Sequence, residues 1–272
     1  MNKKKIVCGI QIQSYPCDIE KNIKKITEWI GLAAKKVRPV LVVFPETVTT
    51  GFTPKKPIKN FVAELKREIP KTLKAVAEAA RKNKTAVVLP TYEPISDNML
   101  ANNAIVFDEK GKIQGRYSKI FPFKEETWTK PGKEVKIFFT GGIKFGVTIC
   151  YDGDFPALSQ KSALLGAELV VRPSALLRSF NIWYIVNRVR AYDNQIFFMG
   201  INACGADASG KMYFGHSMIV NPYARIVSEI GINEGFIYTE LIPKEKINDH
   251  NLVRVNHIAD IKKLHPPKIF RI

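Results

Sequence analysis

Histidine is scarce in this chain. The four histidines, at 216, 250, 257 and 265, all fall in the last quarter. A site built from the first two thirds must therefore run its proton chemistry without imidazole. Cysteine is equally sparse: positions 8, 17, 150 and 204 are widely spaced, with no CxxC pair. That pattern excludes a disulfide framework and a zinc site and fits a reducing, cytoplasmic setting. No apolar run approaches the roughly 18 residues of a membrane helix. The basic start, MNKKKIVCGIQIQ, has only a short, polar-interrupted apolar run that passes straight into a strand, so no signal peptide is expected. A Ser/Gly/Pro linker is missing too. One domain is expected over 1–250, followed by a basic tail over 251–272 that docks on it or on a partner subunit. Acidic residues are few, 25 against 42 lysines and arginines, for a net charge of +17. The lysines are nevertheless spread over stretches such as 55–84, and no RRM, KH or zinc-finger signature accompanies them. They read as solvated faces, and no nucleic-acid partner is expected.

The apolar pattern alternates between two periods. IVCGIQIQ (6–13) reads as a strand, and Asp18 then offers an N-cap to a helix with Ile19, Ile23, Ile26, Ile30, Ala33 and Val37 on one face. VLVVF (40–44) is apolar and β-branched, as in a strand buried on both faces. A helix over about 60–83 and the strand TAVVLP (85–90) follow, then a hairpin over 103–119 turning at D-E-K-G. A second hairpin spans 134–150 with G-G at its turn. Helices at 157–166, with Pro156 in the first turn, and at about 178–194 separate the later strands. Strand–helix–strand–helix–strand–hairpin thus occurs twice, roughly over 6–119 and 143–230, which implies an α/β fold of two similar halves.

Three reactive side chains close strand-like runs: Glu46 after VLVVFP, Lys119 after QGRYS and Cys150 after KFGVTI. Singly, each has an ordinary explanation as a capping carboxylate, an edge lysine and a core thiol. Together they form a workable set. A thiol needs a base, a carboxylate can serve where histidine is missing, and an ammonium steadies both the carboxylate and a later oxyanion.

The flanking residues sharpen the reading. FPE (44–46) with TGF (50–52), GRYSKIFPF (115–123) and GVTICYDGDFP (146–156) resemble the catalytic segments of the nitrilase or carbon–nitrogen hydrolase superfamily. GAELVVRPSA (166–175), RAYDNQIFFMGINACG (190–205) and GHSMIVNPYARIVSE (215–229) extend the resemblance over nearly the whole chain. It implies a four-layer α-β-β-α sandwich that assembles as a homodimer or larger homo-oligomer. It also implies Glu46 as general base, Lys119 as oxyanion-stabilising cation, Cys150 as nucleophile, and no metal or organic cofactor. The family's second glutamate falls on Glu125, seven residues before Gly132, with Glu126 as the alternative. The Tyr151 backbone N–H joins Lys119 in the oxyanion hole, and the Tyr151 and Trp128 side chains wall the pocket. The implied activity is hydrolysis of a small linear amide through a cysteine thioester, with nitrilase and N-carbamoyl hydrolase as alternatives. A non-catalytic basic binding protein is the alternative of another class. Glutamine-dependent synthetase and lipoprotein acyltransferase branches are set aside for want of a second domain or membrane helices. The chain departs from the family at Ala157, where glutamate usually follows Phe155 and Pro156. His216, in FGHS, resembles the aliphatic amidase and formamidase branch and is read as structural.

Overall fold

The computed structural model describes residues 4–177, 179–243 and 256–263. In the first half, β1 (Ile6–Gln11), β2 (Leu41–Val43) and β3 (Ala86–Pro94) run parallel, joined by α1 (Ile19–Val37) and α2 (Ile58–Asn83). Asp18 caps α1 as the sequence predicts, its carboxylate accepting the Lys21 N–H at 3.1 Å. β3 then folds back antiparallel onto β4 (Leu100–Phe107), which pairs with β5 (Ile113–Ser118).

The second half repeats this plan. β6 (Ile137–Thr140) turns at Gly141–Gly142 into β7 (Ile143–Val147). β7, β8 (Leu169–Ser174) and β9 (Phe197–Asn202) are parallel and are connected by α3 (Pro156–Leu164) and α4 (Phe180–Asn194). A small hairpin of β10 (Cys204–Ala206) and β11 (Met212–Phe214) interrupts the repeat, and the antiparallel pair β12 (Met218–Val220) and β13 (Ile226–Glu229) completes it. The last strand, β14 (Gly235–Glu240), crosses back to pair antiparallel with β1. The two six-stranded sheets run β14-β1-β2-β3-β4-β5 and β13-β12-β9-β8-β7-β6.

Strand alternation explains the layers. Val7, Leu41, Val43, Val88 and Val106 face the second sheet in one core, whereas Cys8, Ile10, Val42, Val87 and Ile105 face α1 and α2 in another. The second sheet's other face is covered by α3 and α4 through Ala163, Trp183 and Ala191. The result is the α-β-β-α sandwich expected from the sequence. Among the described residues no helix is long and apolar enough to cross a membrane. Part of the expected tail is described: α5 (His257–Lys263) packs on α3 and α4, with the His257 N–H donating to Gln195 Oε1 at 2.9 Å. The expected boundary at 251 lies outside the described residues.

Candidate active site

Lys119, the first residue past β5, is 1% exposed, and Glu46 and Glu126 are each 2% exposed. Its ammonium donates to Glu46 Oε1 and to Glu126 Oε2, both at 2.7 Å. Asn102 of β4 bridges the same carboxylates, its Nδ2 reaching Glu46 Oε1 at 2.8 Å and Glu126 Oε1 at 2.7 Å. The other Glu46 oxygen, Oε2, accepts the Ala175 N–H at 3.0 Å. Two carboxylates thus share one cation. Burial disfavours the ammonium of Lys119, but Glu46, Cys150 and Glu126 outweigh it and hold its pKa above the usual lysine range. Burial pushes the Glu126 carboxyl upward, with Lys119 opposing and Glu46 adding to the rise.

Cys150 lies beyond β7 rather than at its end, on the first residue of a short 3-10 helix spanning Cys150–Asp154. Its φ of +50° puts a non-glycine residue in the left-handed region, a strain that the surroundings must hold. They do so through the backbone. Arg172 Nε donates to the Cys150 carbonyl at 2.8 Å, and the same guanidinium reaches Asn187 Oδ1 and Asp154 Oδ1, both at 3.0 Å. A Cβ at Gly153 would meet that guanidinium at 2.1 Å, so only glycine lets the turn close over Arg172. Buried Asp152 ties this turn to the lysine segment. Its carboxylate accepts the Ile149 N–H at 3.0 Å, the Phe121 N–H at 2.8 Å and the Tyr117 hydroxyl at 2.8 Å. Burial, with Glu46 adding and Lys119 opposing, pushes the Cys150 thiol up to about 12. Burial thus favours the neutral form of this thiol.

The sequence model of the family Carbon-nitrogen hydrolase matches residues 7–246. The chain belongs to that family. As a carbon–nitrogen hydrolase it acts on C–N bonds. An omega-amidase of Saccharomyces cerevisiae is 30% identical over 264 residues, covering 90% of this chain and 89% of that protein. A nitrilase of Pyrococcus abyssi is 30% identical over 256 residues, covering 90% and 94%. Among solved structures, an amidase from Nesterenkonia sp. superposes with a TM-score of 0.83 at 23% identity, covering 97% and 96% of the two chains. A variant of the Nesterenkonia enzyme carries the acetamide moiety of fluoroacetamide on its active-site cysteine.

In this carbon–nitrogen hydrolase, a pocket of about 240 Å³ opens beside the cluster, lined by Cys150, Tyr151, Trp128, Phe52, Phe123 and Leu176 among others. The expectation that Glu125 is the second glutamate is corrected: Glu126 occupies the buried position on Lys119. The Glu125 side chain is 57% exposed, and it faces the pocket mouth without joining the cluster. The chain turns at 123–126, where the Glu126 N–H donates to the Phe123 carbonyl at 2.8 Å, and this aims Glu126 inward. His216 lies outside the pocket, packed edge-on against Phe180 at 4.4 Å. Ala157 sits exposed in the first turn of α3. Sequence reading did not single out Asn102, Asp152 or Arg172. The signal for Arg172 was available, since a charged residue inside the apolar run LVVRPS has no cheap place in a buried strand. It also missed the β10–β11 hairpin, whose turn brings Asp207, Lys211 and Tyr213 to the pocket.

Proposed function

We propose that the protein is an amidase that hydrolyses a small linear carboxamide to a carboxylic acid and ammonia or an amine, through a thioester on Cys150. The observation that carries this reading is the buried Lys119 ammonium, shared by Glu46 and Glu126 and acting on the Cys150 thiol that opens on the pocket. Glu46 takes the thiol proton as sulfur attacks the amide carbon. The negative charge moves to the amide oxygen, where Lys119 and the Tyr151 backbone N–H receive it, each good donor contributing about 3 kcal/mol. Glu46 returns the proton to the nitrogen, the C–N bond breaks, and ammonia or amine departs. Water, deprotonated by Glu46, then attacks the thioester, and sulfur leaves with that proton. Glu126 holds Lys119 charged and in place. The acetamide adduct on the active-site cysteine of the Nesterenkonia amidase supports a nucleophilic cysteine at the start of this route.

Ammonia release from short aliphatic amides, ω-amides of dicarboxylic acids, carbamoyl compounds and nitriles tests the activity. The omega-amidase and nitrilase relatives make the second and fourth classes informative. On rapid quenching of the wild type with substrate, intact mass should show an acyl adduct on Cys150. Silence across the panel, or an adduct on Cys8, Cys17 or Cys204, would sink the reading.

The same reading includes a homo-oligomer. Exposed Ile182, Ile185, Val189 and Tyr192 recur on one face of α4 at helical spacing, and a second copy of this chain is the partner that covers them. A solution mass of one chain by light scattering would remove this part. The free cysteines among the described residues suit a reducing, cytoplasmic compartment.

A further inference from the structure

A second, smaller cavity reaches Glu46 without touching Cys150. Its volume is about 20 Å³, and one water needs roughly 10–15 Å³. Ser14, Pro16, Glu46, Ala203, Ala206 and Asp207 line it, and neither Cys150, Tyr151 nor Trp128 does. Phe52, Ala175, Asp207 and Tyr213 border both spaces and form the partition between cavity and substrate pocket. Ser14 and Pro16 are half-buried, which puts them at the cavity's surface end.

The hydrogen bonds of Glu46 point the same way. Oε1 is taken by Lys119 and Asn102, whereas Oε2 accepts the Ala175 N–H alone among the described bonds. A carboxylate oxygen accepts two hydrogen bonds, so Oε2 has one direction left. Glu46 and Ala175, which share that bond, both line the cavity. Ser14 and Tyr213 line it too, and their hydroxyls, donating to the Val48 carbonyl and to Asp207, keep oxygens that can accept from a held water, whereas the Asp207 carboxylate is taken up by Thr53, Ser209, Lys211 and Tyr213.

This arrangement answers a difficulty in the reaction. Once Cys150 is acylated, the acyl group sits in the pocket beside Cys150, yet the second step consumes a water activated at Glu46, which lines the small cavity and not that pocket. We propose that the small cavity is the binding site and supply route of the hydrolytic water, bringing it from the surface at Ser14 and Pro16 to Glu46 Oε2 while the acyl group occupies the pocket. The inference rests on the amidase reading above. In the step it serves, the water oxygen bonds to the thioester carbon and one water proton passes to Glu46. The C–S bond then breaks, and the sulfur takes that proton, leaving carboxylic acid and free thiol.

Filling the cavity should therefore slow deacylation and spare acylation. Wild type and Ala203→Val are acylated with a nitrophenyl ester of a short acid. The nitrophenol burst reads acylation, and loss of the adduct mass from Cys150 reads deacylation. The variant should keep a burst rate within about twofold of wild type while deacylating at least about tenfold more slowly. Ala206→Val, at another point of the lining, should act in the same direction and replaces Ala203→Val if that variant loses its thermal transition. Ala203→Gly should deacylate at least as fast as wild type. Deacylation at the wild-type rate in folded, filled variants overturns the proposal, as does equal slowing of both steps, which would assign the cavity to the substrate pocket. A wild type that neither forms the adduct nor releases ammonia from any amide overturns the amidase reading itself. A wild type that turns over alongside unaffected filled variants overturns only the water route.

Discussion

The ionic cluster and the thiol turn meet at the pocket but are held by opposite means. The cluster of Glu46, Lys119, Glu126 and Asn102 comes from the first half and its exit loop, and it is fixed by charge paired with charge in a buried setting. The turn at Cys150 comes from the second half and is fixed through its backbone by a strained φ, the Arg172 bond to its carbonyl and the N–H bonds accepted by Asp152. The cluster sets two buried carboxylates around one ammonium, while the turn buries the Cys150 thiol and raises its pKa. A preformed thiolate near Glu46 would add a third negative group to a site with one cation for two carboxylates, so the neutral thiol is the cheaper form.

The largest test of this division removes its reacting ends. Cys150→Ala and Glu46→Gln should each lower amide turnover by about 10⁴-fold or more with the thermal transition retained. A Glu46→Gln enzyme within tenfold of wild type would mean that the base lies elsewhere. Next, Lys119→Met leaves two buried carboxylates without their cation and should cost about 3–5 kcal/mol in denaturant unfolding. That loss should shrink as pH falls, because the Glu126 carboxyl, raised in the folded state, binds its proton more tightly there than in the unfolded chain. A pH-independent loss would show that packing, not charge, binds the cluster.

Smaller but more discriminating is the glutamate pair. Glu126→Gln should lower kcat by about 10²-fold, whereas Glu125→Gln should stay within about twofold. The reverse order would return the role to the exposed residue. The smallest effect concerns the thiol. Its proton is held more tightly folded, up to about 12 from 9.0, so this stabilisation is present below 9.0 and is lost as pH rises towards 12. Wild type should lose more stability than Cys150→Ala over that alkaline range. The wild-type minus Cys150→Ala difference spectrum should show no thiolate absorbance below about pH 10.

Particular residues show how far the sequence reaches. The double βαβ order, the Asp18 cap and the G-G turn were legible because local periodicity and turn chemistry fix them within a few residues. Glu46, Lys119 and Cys150 were legible only together, because each has an ordinary explanation singly but all three close apolar runs inside segments that resemble one family's catalytic segments. The Glu125–Glu126 choice was not legible: adjacent residues face opposite ways, and a turn at 123–126 that local spacing does not disclose decides which one enters. Asn102 and Asp152 were hidden for a related reason, since their partners lie 56 and 31 residues away, at Glu46 and Phe121.

The sequence by itself determined the alternation of elements and the placing of a thiol, a carboxylate and a lysine at the ends of apolar runs. Each is a matter of local pattern or residue type. Only the tertiary structure decided that the cation is shared between two carboxylates, that burial raises the pKa of the thiol, and that a separate cavity reaches Glu46. Burial, hydrogen-bond direction and enclosed volume arise only when segments far apart in the chain are packed against one another.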